Sequence, residues 1–468
     1  MNLEKLLSVA AGTDNSEPLR LLVQGYGGTG KTFTINAITY ITRRLFRRNG
    51  STLNIAPTGA ASNLIPDGRT LHSTTPIPFM TKKERSTVDI TSHPMNSQQK
   101  RKLQTLIGFN NETQNHGLYT LNMDERSMYS PRLLAWCNQR FMEATEDFEK
   151  DFGNIPVVNF FGDLGQLGPI EGNDLFIQPS KKPTPENLKG HAIYRSFKKC
   201  VLLTQTMRQK PDQKTLLERL LRIRSGNITQ QDWLDINSKY EPNMTQKDRE
   251  DFDNGRVITL NETWQEVFDE NREKLSRLRV PVATIPCTEG RGTCHKTSGQ
   301  KQMGQIPGIS FIAVGCPVML TKNQGPLTTF GLNNNGAIGT VIAILYPDGC
   351  CPPSPPDAII VHFEGYNGPV WNEEHPKWVP IVPMKSRCDA HQSCSRTGFP
   401  LLAAYSIPIA KSQGMTIGEG KPATHMRVKL QQKTFMESLS LGTTYTALSR
   451  VESDKRWCVL LMKCPWIV

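Results

Sequence analysis

A chain of 468 residues exceeds the roughly 250–300 at which a single hydrophobic core stops growing, so two or more domains are expected. Hydrophobic residues make up 37% and charged residues 21%, and no apolar run approaches the roughly 18–20 residues of a membrane span, which predicts a soluble chain with no membrane partner. Lys plus Arg at 55 against Asp plus Glu at 43 leave a net charge of +12, which favours a polyanionic partner such as nucleic acid.

The opening MNLEKLLSVAAGTDNSEP carries Glu4 and has neither a basic n-region nor a long apolar stretch, so no secretory signal is expected. The eleven cysteines accordingly read as reduced thiols in a cytosolic or nuclear setting. Residues 19–24, LRLLVQ, form a short apolar run that reads as a buried strand feeding a glycine-rich stretch. Ile35, Ile38, Ile41 and Leu45 then recur at helical spacing as far as Asn49-Gly50, a C-terminal stop. Further strands are predicted at 52–58, 118–125 and 155–163, each ending in polar residues, as at the carboxyl ends of a parallel sheet where ligands bind. The polar, partly basic stretch 77–115 reads as an insertion. After residue 196 a second α/β alternation begins with FKKCVLLTQTMRQK and runs through TLLERLLRIRSGN to the strand RVITLN. Between 308 and 400, short β-branched runs broken by Gly, Pro and Asn predict a small β-barrel-like insertion. Within it Cys388, His391 and Cys394 have C-x-x-H-x-x-C spacing; with three ligands and only Cys350 or Cys351 as a fourth, they read as loop residues rather than a zinc site. The α/β texture returns at LLAAYSIPIAKSQGMT and closes with TTYTALSRVES.

The stretch GYGGTGKT, residues 25–32, has G-x-x-x-x-G-K-T spacing. Bare backbone N–H groups of Gly25, Gly27, Gly28, Thr29 and Gly30 can wrap phosphates, Lys31 can reach the outer phosphates, and the Thr32 hydroxyl can ligate magnesium. Asp124 and Glu125 close a predicted strand, where the first orders a magnesium shell and the second orients and deprotonates water. Gln166, in GDLGQLGPI, follows another strand end and can hydrogen-bond a γ-phosphate or the attacking water. Arg208 in TMRQ and Arg450 in ALSRV supply the kind of charge that speeds phosphoryl transfer about 10³–10⁵-fold; both are expected from the second α/β unit.

Taken in order, GYGGTGKT, APTGAAS with RTLHS, MDERSM, GDLGQLGPI, LTQTMRQ, VGCPVMLTKN with NNNGAIGTV, AKSQGMT and YTALSRV resemble the successive motifs of the Pif (petite integration frequency) DNA helicases of superfamily 1B. DERSM, PPDAIIVHFEGY and SRTGFPL look most like the helicase part of Helitron-type transposon proteins. The resemblance implies an α/β fold class with two RecA-like P-loop NTPase domains and a small SH3-like β insertion in the second. Residues 1–195 would form the first domain with 77–115 as a candidate wedge, 196–307 and 401–468 the second, and 308–400 the insertion. It implies ATP and Mg2+ as ligands, with Lys31 and Thr32 on phosphate and magnesium, Asp124 a magnesium ligand, Glu125 the general base, Gln166 the γ-phosphate sensor, and Arg208 and Arg450 the arginine fingers. Thr58, Gly59, His72, Lys411, Ser412 and Gln413 would touch the single strand or couple it to the nucleotide. Movement is expected 5′ to 3′ on single-stranded DNA, with forked duplex DNA as a further partner, a monomer in solution and a nuclear location serving repair, recombination and telomere maintenance.

The chain also departs from that pattern. No Gln precedes Gln24 to read adenine, Ala410 stands where His is usual, Pro408 is placed to interrupt a strand ladder, Asn122 puts an amide inside a strand, and Gly168 replaces a usual Pro. These changes open an alternative, a transposon-derived remnant that binds ATP and single strands with weak or no unwinding. In either case Trp136, Tyr405 and Trp371 are the candidate stacking aromatics.

Overall fold

The computed structural model describes residues 1–14, 16–62, 64–78, 89–110, 112–113, 115–169, 172–178, 183–253, 255–290, 306–322, 336–352, 354–387, 394–430 and 442–462. In it the chain divides into two units, Met1–Lys210 with Ser440–Ser449, and Pro211–Leu439 with Arg450–Val468.

The first unit is built on the apolar runs read from the sequence. They form β1 (Leu19–Gly25), β2 (Thr52–Ala56), β4 (Thr120–Met123) and β5 (Val157–Gly162), joined by the short β3 (Arg69–Thr70) and by β6 (Lys199–Leu203). All pair in parallel in the order β3-β2-β4-β5-β1-β6, so their carboxyl ends share one edge. Near-continuous burial along β2, β4 and β5 is what helices on both faces demand. On one face Leu6 of helix Asn2–Ala10 and Ile35 of helix Lys31–Phe46 meet Leu21, Val23 and Phe161. On the other, Leu103 and Ile107 of helix Ser97–Ile107, Trp136 and Phe141 of helix Pro131–Thr145, and Ile193 of helix Pro185–Ser196 cover Leu121, Val158 and Phe160.

Three sequence expectations change here. The boundary predicted at residue 195 falls after 210, because β6 pairs with β1 and completes the first sheet. Strand–helix alternation says that a strand follows, not which sheet it joins. The helix Thr443–Leu448, expected with 401–468 in the second domain, belongs to the first unit. The candidate wedge 77–115, of which 79–88, 111 and 114 lie outside the described residues, contributes Ile90, Met95, Leu103 and Ile107 to the first core. Its helix is fixed by a capping box between Asn96 and Gln99.

The second unit has a four-stranded parallel sheet in the order Ser406–Pro408, Val257–Asn261, His425–Leu430, Trp457–Met462. Pro408 is the last residue of the edge strand, a place where a missing N–H is tolerated, so it ends a ladder rather than interrupting one. The region between holds a five-stranded antiparallel sheet, Trp378–Ile381, Ala358–His362, Ile338–Leu345, Pro317–Leu320 and Leu401–Ala403. It packs around Val318, Val341, Val361, Phe363 and Leu401. Among the described residues no helix is long and apolar enough to cross a membrane.

Candidate functional site

β1 runs into a loop and the helix Lys31–Phe46 starts at its end. Gly28 and Gly30 adopt φ of +87° and +82°, open to glycine at little cost, and a Cβ on Gly28 would also come 2.5 Å from the Arg208 Cβ. Lys31 Nζ donates to the carbonyls of Gly25 at 2.9 Å and Tyr26 at 3.0 Å. Burial pushes its pKa down, against the opposing pull of Glu125, Asp163 and Asp124, while the Arg208 charge adds to the lowering. Three carboxylates and one guanidinium therefore act on this single ammonium.

Asp124 follows β4 and is 7% exposed. Burial first, then the Glu125 charge, push its carboxyl up to about 7, opposed by the Glu125 N–H that donates to its Oδ1 at 2.9 Å and by Lys31. Glu125 has φ +52°, a left-handed conformation that a non-glycine residue adopts at a cost of roughly 1–3 kcal/mol, as strained functional residues do. Its Oε2 is buried without a hydrogen-bond partner among the described residues, and so is Oε1 of Gln166. Buried acceptors are nearly always satisfied; with Glu125, Asp124 and Asp163 acting on Lys31, and the Gln166 N–H donating to Asp163 O at 3.1 Å, these two orphans fit oxygen atoms left for a hydrated magnesium and a reacting water. Thr32 opens the same helix as Lys31.

Arg208 stands in the first unit, not the second as expected, because the chain passes straight from β6 to the phosphate loop. The Met207 N–H donates to Gly28 O at 2.7 Å, and Arg208 Nη1 donates to Ser449 O at 2.7 Å. Arg450 falls in the second unit, where it is buried and its carbonyl accepts from the Ile417 N–H at 2.9 Å. Gln24 is engaged at the strand end, accepting from Arg126 Nη2 and donating to Asp163 Oδ1 at 3.4 Å. Gly168 lies against Asp174, whose Oδ1 would stand 2.8 Å from an added Cβ.

Among the nucleic-acid candidates, Thr58 and Gly59 lead from β2 into the short helix Gly59–Ser62, with Thr58 Oγ1 accepting from the Ala61 N–H at 3.2 Å. His72 is exposed on helix Leu71–Thr74 after β3, so these three share the carboxyl edge with the phosphate loop. Lys411 and Ser412 lie in the second unit, in the 3₁₀ turn Ile409–Ser412, and Gln413 follows it. Burial pushes Lys411 down to about 8, and both amide atoms of the buried Gln413 have no hydrogen-bond partner among the described residues. Of the aromatics, Trp136 is core: its Nε1 donates to Glu186 Oε1 at 2.7 Å and Arg140 covers its ring at 4.7 Å. Tyr405 is partly buried, and Trp371 is 52% exposed. Cys388 and His391 lie outside the described residues; Cys394 is buried, Cys350 and Cys351 are exposed, and no metal-holding cluster of His, Cys, Asp and Glu occurs among the described residues.

Sequence reasoning passed over Asp163, Tyr445 and Arg126. Asp163 is fully buried at the end of β5, Tyr445 donates to its Oδ2 at 2.8 Å, and Arg126 is buried with Nε and Nη1 unpartnered among the described residues. All three stood inside the motifs already quoted, GDLGQ, YTALSR and MDERS, but nothing in their spacing announces contact.

A glycine loop between a central parallel strand and a helix, with its lysine facing strand-end carboxylates and a buried glutamine nearby, defines a P-loop NTPase of RecA-like fold. The model of the PIF1-like helicases matches residues 5–233, in agreement with the Pif resemblance read from the motifs. The crystal structure of Pif1 helicase from Candida albicans matches with a TM-score of 0.67 and 21% identity, covering 98% of this chain and 94% of that one. Bacteroides Pif1 bound to ssDNA matches at 0.64 and 18%, covering 99% and 93%. Pif1 helicase from Bacteroides in complex with ADP-AlF3 and ssDNA matches at 0.63 and 18%, again covering 99% and 93%. Comparison with curated proteins gives no significant match.

Proposed function

We propose that this chain is an ATP-dependent DNA helicase that translocates 5′ to 3′ on single-stranded DNA and unwinds forked duplex. The observation that carries the reading is the convergence of Lys31, Asp124 and Glu125 in a unit whose sequence matches the PIF1-like helicases. Lys31 would exchange the carbonyls of Gly25 and Tyr26 for phosphate oxygens. Thr32 and Asp124 would hold magnesium, which neutralises charge on the phosphates when bound. Glu125 Oε2 takes the proton of the attacking water, Gln166 Oε1 orients that water, and Arg208 neutralises the transferring group from beside Gly27 and Gly28. Arg450 is the proposed second arginine finger. Thr58, Gly59, His72, Lys411, Ser412 and Gln413 are the proposed strand contacts, and the five-stranded antiparallel sheet the proposed SH3-like insertion. A Helitron-type relationship is part of the proposal, supported by the likeness of the phrases DERSM, PPDAIIVHFEGY and SRTGFPL to the helicase part of those proteins.

Separating a base pair costs on average about 1.4 kcal/mol per stacked step, and one base on an aromatic ring returns about 1–3 kcal/mol. Capture therefore holds an opened strand, while direction has to come from hydrolysis. The weak-remnant alternative loses two of its grounds: Pro408 is accommodated at a strand end and Asn122 is hydrogen-bonded within the sheet.

The test is ATP hydrolysis with and without a single-stranded DNA oligonucleotide at low and physiological salt, followed by unwinding of partial duplexes with 5′ or 3′ overhangs. Strong stimulation and unwinding from the 5′ overhang are expected, and Lys31→Ala abolishes turnover. Hydrolysis indifferent to DNA would overturn the reading.

A further inference from the structure

The Gly27 N–H donates to the Tyr445 hydroxyl at 3.0 Å, and that hydroxyl donates to Asp163 Oδ2 at 2.8 Å. Tyr445 is 3% exposed and Asp163 is fully buried. The same six-residue helix, Thr443–Leu448, is tied to the rest of the site. Thr446 Oγ1 accepts from the Leu167 N–H at 3.1 Å, and Gly442, at φ +86°, lies so close to the carbonyls of Gly165 and Gln166 that a Cβ would stand 2.5 Å from both. At its far end Ser449 accepts from Arg208, and a Cβ on Gly27 would come 3.3 Å from the Ser449 Cβ. One short helix thus touches the phosphate loop, the segment that carries Gln166, and Arg208.

In such a loop the backbone N–H groups are the phosphate ligands. An N–H carries one hydrogen, so a phosphate oxygen and the Tyr445 hydroxyl compete for Gly27. Donation to the Asp163 carboxylate makes the tyrosine oxygen a better acceptor, which strengthens the competitor.

We propose that Tyr445 is a positioning residue that nucleotide phosphate displaces from Gly27, so that binding frees the hydroxyl and loosens the helix Thr443–Leu448, which leads along the chain directly into Arg450. The inference rests on reading residues 25–32 as a nucleotide site. It makes nucleotide occupancy legible to the segment bearing Arg450, through one hydrogen bond that is made to the loop or given up.

The experiment titrates a fluorescent ADP analogue with magnesium into the full chain, its Tyr445→Phe variant and a Lys31→Ala control. Removing the hydroxyl removes the competitor, so Tyr445→Phe binds about fivefold more tightly, the equivalent of one ordinary hydrogen bond. A tyrosine that served only packing would leave affinity unchanged or weaken it, and either result in a folded variant overturns the proposal. Should the variant fail to fold, hydrogen exchange on the unmodified chain decides. Saturating ADP must increase exchange in the peptide spanning Thr443–Leu448 while protecting residues 25–32; unchanged or increased protection of the helix overturns the proposal. Absence of any nucleotide binding by the unmodified chain removes the nucleotide reading itself, and this inference with it. Tight binding that Tyr445→Phe leaves unchanged removes this inference alone.

Discussion

At φ +52° the Glu125 backbone holds in a left-handed conformation the side chain that the sequence offered as a general base. Its Oε2, buried and without a hydrogen-bond partner among the described residues, supports the proposed role of base, and on that proposal Glu125→Gln should lower the turnover number by about 10²–10⁴ while nucleotide affinity changes little. Steady-state ATPase beside an ADP titration checks this, and equal losses in both would assign the residue to binding. Lys411 offers a pH-dependent test in the other unit. Its folded pKa of about 8 lies below the ordinary 10.5, so between those values the unfolded chain holds a proton that the folded chain has released. Stability should therefore rise as pH climbs from 8 towards 10.5, and Lys411→Met should lack that rise. Thermal melts of both at pH 7, 8.5 and 10 check it: the variant is the more stable at pH 7, and the gap closes by pH 10. The identity of these side chains was legible in the sequence from motif spacing. The lowered pKa of Lys411 was not, because it depends on burial, and neither was the Tyr445 hydroxyl bond, because Gly27 and Tyr445 are 418 positions apart.

At the scale of elements, the amide that looked out of place in a strand proves to be the middle of a ladder. Asn54, Asn122 and Asn159 stand in register on β2, β4 and β5. Asn122 Nδ2 donates to Asn54 Oδ1 at 2.8 Å, Asn159 Nδ2 donates to Asn122 Oδ1 at 2.9 Å, and Asn54 Nδ2 donates to Pro66 O at 2.7 Å. Replacing the middle member by leucine leaves the Asn159 amide donor buried and unpaired, at about 1–3 kcal/mol, while Asn54 Oδ1 keeps the Thr39 hydroxyl at 3.3 Å. Asn122→Leu should thus cost about 1–3 kcal/mol in denaturant unfolding, and adding Asn159→Leu, which removes the orphaned donor, should cost less than the sum of the two single changes. An additive double variant would deny the ladder its cooperation. Strands and the first nucleotide-loop helix were legible because apolar runs and helical spacing are local properties of the chain. Sheet membership was not: β6 and the helix Thr443–Leu448 were assigned to the wrong unit because their partners, β1 and the phosphate loop, lie far away in sequence.

For the whole molecule, the net charge of +12 and the placing of strand-contact candidates in both units make an electrostatic prediction separable from catalysis. Single-strand affinity should fall with salt at a log–log slope of about −0.7 per phosphate neutralised, so that four such contacts lose on the order of 50-fold between roughly 50 and 200 mM salt. In the proposed function Lys31 serves the nucleotide, not the strand, because its ammonium bonds to Gly25 and Tyr26 and faces Asp124 and Glu125. Lys31→Ala should accordingly keep both the affinity for a fluorescent oligonucleotide and its salt slope while losing DNA-stimulated hydrolysis by at least about 10²-fold, the scale on which phosphoryl-transfer groups act. Anisotropy titrations at several salt concentrations, set beside ATPase rates for the same preparations, check both halves. An unmodified chain whose oligonucleotide affinity ignored salt would show that the basic charge is not its grip on the strand. A Lys31→Ala chain that lost binding and hydrolysis together would show that strand and nucleotide sites are not separable at this residue.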